Sequence, residues 1–128
     1  MSIIRKRIEV IGAKDGKVTR RELNALFDSG ATHSFIRKDI ADELAEMSPV
    51  PEIYSEFRGA TDKATIKIEG FVPLFAKIKD CIIGGGFMVV KDLKEDMVIG
   101  ADILQTHKLK IDMAKEDIDT STCEPYRF

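Results

Sequence analysis

The chain has 128 residues, of which 44% are apolar and 33% charged, and its formal net charge is −2 at pH 7. That length suits one domain able to bury a core without metal or disulfide staples. Lys+Arg 20 against Asp+Glu 22 gives no pull toward polyanions, so neither a nucleic acid nor a membrane is expected as partner.

The opening MSIIRKRIEV lacks the apolar core of a signal peptide. No run in the chain approaches the roughly 18 apolar residues of a membrane span, so a cytoplasmic location is expected. Ile4, Ile8 and Val10 share one parity, interrupted by Lys6, and predict a strand over residues 3–12. The basic run Arg5-Lys6-Arg7 inside it reads as a solvated strand face. Lys14-Asp15-Gly16-Lys17 carries the Asp-Gly pair that closes hairpins, and residues 17–27 return as a second strand with Leu23, Ala25 and Phe27 on one face. Leu26 is apolar as well, which predicts burial on both sides at the strand's end.

Asp28-Ser29-Gly30 then breaks the strand abruptly. Ser34 can cap a helix in which Ile40, Ala41, Leu44 and Ala45 recur at helical spacing, with Pro49 and Pro51 closing it. Extended segments follow: Glu52 to Phe57, a polar turn at Gly59 to Lys63, and alternation from Ala64 to Ile68 that resumes at Val72, Leu74, Ala76 and Ile78. Gly84-Gly85-Gly86 reads as a hairpin turn before a short strand at Phe87 to Val90. Met97-Val98-Ile99 leads into Gly100, a short helix is expected over Ala101 to Thr106 with Ile103 and Leu104 inward, and a strand from Leu109 to Met113. The tail, 120–128, is polar and expected to be loosely held. Cys81 and Cys123 have no metal or redox spacing and read as free thiols in a reducing compartment. The expectation is a single mostly β domain over residues 1–128, barrel-like or a sandwich, with one or two short helices.

Several chemistries can be weighed against ordinary structure. The triple glycine is followed by strand-like residues rather than a helix and Lys-Ser/Thr, so a phosphate cradle is disfavoured. His33 and His107, the two histidines, belong to no metal-binding spacing, so no metal site is expected. Ser29 lacks the nucleophile elbow of serine hydrolases. Asp28 is different. An Asp-Ser-Gly turn is structurally ordinary, but here a rigid apolar strand carries the carboxylate out of the core, and an apolar triplet with Gly100 returns later ahead of a short helix.

The combination of LFDSGATHSF with Val98-Ile99-Gly100 resembles the retropepsin-like aspartic proteases, most closely the cellular and retrotransposon branch, over residues 17 to 113. The resemblance implies a closed β-barrel of the acid protease fold and an aspartic endopeptidase acting on peptides or unfolded protein, with no cofactor. Because the chain holds a single D-S-G turn, it also implies a homodimer in which the second Asp28 comes from a second copy. On that reading Asp28 is catalytic, Ser29 donates its hydroxyl across the dimer axis, Gly30 gives the tight turn, and Gly100 lets the helix pack close beneath. Ala31, Thr32 and His33 would line the cleft. A flap is expected on residues 57–64, with Gly59, Ala60 and Thr61 over the substrate, and Asp102 is expected to cap its helix rather than join catalysis. The length of the helix after Asp28 and the residues beyond Met113 depart from the viral pattern and leave the dimerising strands open. Two rivals stand beside this reading: an inactive module keeping the fold for dimerisation or peptide binding, and a small barrel binding an unrelated ligand.

Overall fold

The computed structural model describes residues 2–51, 56–58 and 65–127. Two long strands, β1 (Ile3–Lys14) and β2 (Lys17–Asp28), form a hairpin in unbroken register, with Ile3 opposite Asp28 and Lys14 opposite Lys17. Asp15 and Gly16 both take positive φ, 52° and 73°, the hand of turn that follows the natural strand twist. Arg5 and Arg7 lie on the solvated face of β1, whereas Lys6 is half-buried on the other, and all three are charge-matched, Arg5 with Glu95, Lys6 with Asp117 and Arg7 with Glu22.

Six strands close into a barrel in the order β1, β2, β8 (Met97–Ile99), β3 (Phe35–Arg37), β7 (Cys81–Val90) and β6 (Gly70–Ile78), with β6 returning to β1 at Glu9–Ile11. The mostly β closed barrel with two short helices expected from the sequence is what the chain forms. Its interior is filled by residues that alternate along each strand: Ile8 and Val10, Leu23, Ala25 and Phe27, then Val72, Leu74 and Ala76, all nearly inaccessible. β8 is buried on every residue and lies between β2 and β3, parallel to the first and antiparallel to the second. The loop from Asp28 to Ser34 must therefore arch over the end of β8.

Four expectations are corrected. Ser34 caps no helix: residues 35–37 form β3, and the helix α1 (Lys38–Leu44) starts after Arg37. An aromatic and a β-branched residue there find edges on β7 and β8, and that pairing outweighs the helical spacing that follows. The three glycines are not a turn but the middle of β7, where Gly84, Gly85 and Gly86 sit opposite Phe75, Leu74 and Pro73. The Phe75 ring covers Gly84, and a Cβ on that glycine would lie 2.7 Å from a ring carbon. The chain reverses instead at Lys79-Asp80, with Lys79 at φ 54°.

The cysteines are not free: a disulfide joins Cys81 to Cys123 across 42 residues. Spacing along the chain could not reveal it, because the tail returns to the start of β7. Nor is the tail loose. Tyr126 N–H donates to the Ile82 carbonyl at 2.7 Å, Glu124 N–H to the His107 carbonyl at 2.8 Å, and the Tyr126 ring stands edge-on to Phe75 at 4.9 Å. Reduction of the bridge, or Cys123→Ser, should lower unfolding free energy by about 2–4 kcal/mol, measured by denaturant titration with and without reductant. Alkylation of the folded, unreduced protein should label neither cysteine.

A hairpin of β9 (Lys110–Asp112) and β10 (Asp117–Asp119) follows α2 (Ala101–Thr106). Asp117 fastens it to the barrel, 2.7 Å from Lys79 and 3.4 Å from Lys6. The Lys79 hydrogen bond first, then the Ile118 backbone N–H, hold the Asp117 carboxyl down at about 2 against an ordinary 3.8. A value lower in the folded than in the unfolded chain means stabilisation that is full above pH 3.8 and lost as pH falls toward about 2. Asp117→Asn should therefore be less stable than wild type at neutral pH, and the gap in denaturant midpoint should close across that acid window.

Candidate active site

Asp28 is the last residue of β2, half-buried, and its placement follows from the strand beneath it. Leu23, Ala25 and Phe27 point into the core, and Ala25 to Phe27 pair in parallel with Met97 to Ile99. The carboxylate thus leaves from the end of β2 where it pairs with the fully buried β8; the expected burial on both sides of β2 is not met, since Leu26 on the outer face is only half-buried. Asp28 Oδ1 accepts the Gly30 N–H at 2.9 Å, and the Asp28 carbonyl accepts the Ala31 N–H at 3.2 Å, closing a tight turn that presents an amide to the acid. Gly30 is exposed, Ala31 half-buried, Thr32 exposed and His33 half-buried.

Within one chain the Ser29 hydroxyl is already engaged. It accepts the Ser2 N–H at 2.9 Å and lies 3.3 Å from the Ser2 carbonyl, while Ser29 N–H donates to that carbonyl at 3.0 Å. The start of β1 is thereby tied to the turn. Gly100 lies directly beneath the loop: a Cβ there would stand 2.3 Å from the His33 carbonyl oxygen and 2.6 Å from that of Ala31. The close approach demands glycine. Beside it Ala101 N–H donates to the Ala31 carbonyl at 2.6 Å.

Asp102 does not occupy the cap position, which belongs to Gly100. It sits in the first turn of α2, where its Oδ1 accepts the Ile103 N–H at 2.8 Å and the Ser34 hydroxyl at 2.7 Å. That link between Ser34 and Asp102 was not legible in the sequence. Its one trace is a small polar residue next to the apolar Phe35-Ile36, a position that this fold buries.

Beside the turn opens an apolar cavity of about 570 Å³, walled by His33, Val50, Pro51, Ile68, Phe71 and Met88. Only His33 among them is expected from the sequence, because the rest come together from Val50-Pro51 after α1, Ile68 just ahead of β6, Phe71 on β6 and Met88 on β7. Phe71 remains 41% exposed at its edge. The expected flap residues Gly59, Ala60 and Thr61 lie outside the described residues. Their flanks, β4 (Glu56–Arg58) and β5 (Thr65–Lys67), pair antiparallel as the arms of a hairpin. A second groove, about 620 Å³, borders Ser29 on the other side and is lined by Leu104, Leu109 and Ile111. Among the described residues no three His, Cys, Asp or Glu side chains converge as metal ligands.

A closed barrel that projects one Asp-Ser-Gly turn over a glycine at the start of a short helix defines a retropepsin-like domain. The chain belongs to the aspartyl protease family, which it matches over residues 14–112. It is 32% identical over 102 residues to DNA damage-inducible protein 1 of Neurospora crassa, a stretch that covers 79% of this chain and 23% of that protein. In three dimensions it resembles the retroviral protease-like domain of Ddi1 from Leishmania major, with a TM-score of 0.58 at 19% identity, over 96% of this chain and 90% of that one. That likeness concerns the fold.

Proposed function

We propose that the chain is an aspartic endopeptidase working as a homodimer, with one Asp28 from each copy forming the catalytic pair. The observation that carries this is a half-buried carboxylate held out from the barrel by its own Gly30 N–H, in a chain with a single such turn. One Asp28 is half of a site. Two carboxylates about 3 Å apart cannot both ionise, so the pair holds one proton between them. The ionised partner takes a proton from a water lying between the two, and the water oxygen attacks the scissile carbonyl carbon. The protonated partner donates to the carbonyl oxygen; as the C–N bond of the tetrahedral adduct breaks, the first carboxyl passes the proton it took from water to the leaving amine, and the second takes a proton back from an adduct hydroxyl, which leaves the product carboxyl and restores the pair's one proton.

The groove beside Ser29 and the single-sided pairing of β9, which meets only β10 among the described residues, leave a face for the second copy. The cavity beside His33 suits an apolar side chain of the peptide. Purified protein should sediment as a dimer at micromolar concentration and cleave an unfolded protein at mildly acidic pH. A persistent monomer would exclude a shared pair, and a dimer that cleaves nothing would favour the non-catalytic module.

A further inference from the structure

The loop from Ser29 to Ser34 leaves β2 and returns to β3, and Ser29, Gly30 and Thr32 face solvent. It has to be held from below, and the start of α2 holds it. Gly100 N–H donates to Ser34 Oγ at 2.9 Å, the Ser34 hydroxyl donates to Asp102 Oδ1 at 2.7 Å, and the same oxygen takes the Ile103 N–H at 2.8 Å. The Ser34 carbonyl accepts the Met88 N–H at 3.0 Å, which pins the same residue to β7. Ser34 is 1% exposed, one of two buried polar residues among those described. A hydroxyl at that depth costs stability unless both of its roles are used, and here it gives one hydrogen bond and receives another.

We propose that Ser34 and Asp102 are positioning residues that set the height of the catalytic loop over Gly100, and so the place where Asp28 meets its counterpart. The proposal rests on the protease reading above. A shared proton needs the two carboxylates within about 3 Å, and each loop contributes its own error to that distance. Asp102 acts by geometry more than by charge: its Oδ1 accepts two hydrogen bonds, which an amide oxygen also accepts in the same place, though more weakly. Ser34 acts through its hydroxyl, which threonine keeps and alanine lacks.

The test measures kcat and KM on one peptide, at concentrations where sedimentation shows a dimer, together with amide hydrogen exchange at Gly100 and Ala101. Ser34→Ala and Asp102→Ala should each lower kcat by about 10- to 100-fold with little change in KM, since a displacement of about 1 Å can cost that much. The double alanine variant should be no worse than either single one, as for two members of one unit. Ser34→Thr and Asp102→Asn should restore kcat to within about threefold of wild type, the scale of a single weakened hydrogen bond. Exchange at Gly100 and Ala101 should quicken only in the alanine variants. Alanine variants that lose thermal stability but keep kcat would overturn the proposal, as would Asp102→Asn behaving like Asp102→Ala. Should Ser34→Ala fail to fold, Asp102→Ala, whose side chain is at the surface, carries the same comparison. If the wild type cleaves nothing, the protease reading fails on its own account. Exchange then decides the clamp separately, and unchanged exchange in Asp102→Ala overturns it.

Discussion

Asp28→Asn should abolish peptide cleavage while leaving the barrel intact. The substitution removes the ionisable oxygen from both halves of the proposed pair, so no base remains to take the proton from water. Proton transfer by a positioned acid or base contributes about 10²–10⁴-fold, and here the acid and the base are lost together, so the fall in kcat/KM should reach or exceed the upper figure. The fold should not notice. The asparagine amide oxygen can still accept the Gly30 N–H that Asp28 Oδ1 accepts at 2.9 Å, and no salt bridge depends on the side chain among the described residues. Equal melting temperatures with activity lost would locate the effect in chemistry. Equal activity would remove Asp28 from the mechanism.

Gly100→Ala should be the most damaging single methyl addition at the site. The new Cβ would fall 2.3 Å and 2.6 Å from two carbonyl oxygens of the loop after Asp28, and both contacts are backbone, so no side chain can swing aside. Either the loop rises or α2 retreats, and both break the Ala101-to-Ala31 hydrogen bond. Overpacking of this kind costs about 1–3 kcal/mol, and the lost hydrogen bond adds about 1 kcal/mol more. A fall in melting temperature of roughly 10 °C is expected for a domain of this size, with activity falling in protein that remains folded. Gly86 offers the control: a Cβ there meets nothing within 4 Å, so Gly86→Ala should leave the melting temperature nearly unchanged. Equal destabilisation at the two glycines would contradict the account of the loop's support.

The barrel strands were legible because alternation reports burial directly. Leu23, Ala25 and Phe27, and Val72, Leu74, Ala76 and Ile78, fall on the inward face as their spacing requires. The position of Asp28 at the end of such a strand was legible for the same reason. What escaped was non-local. Gly84 to Gly86 look like punctuation until Phe75 and Pro73 are placed across from them, and Ser34 looks like a helix cap until β8 supplies an edge for Phe35 and Ile36. The bridge between Cys81 and Cys123 and the anchoring of Tyr126 depend on where the tail returns. The apolar wall of the cavity beside His33 is assembled from Val50, from Ile68 with Phe71, and from Met88, three stretches that local spacing does not connect.

The central claim is that one chain holds half of a catalytic pair, and mixing tests it most directly. Wild-type protein is incubated with a tenfold excess of Asp28→Asn chains long enough for subunits to exchange, and cleavage is measured per wild-type chain. Most wild-type subunits should then sit beside a partner lacking the carboxylate, and activity should fall about tenfold by mass action. Undiminished cleavage in a mixture that sedimentation shows to be co-dimeric would mean that a single Asp28 suffices, and would contradict the shared site.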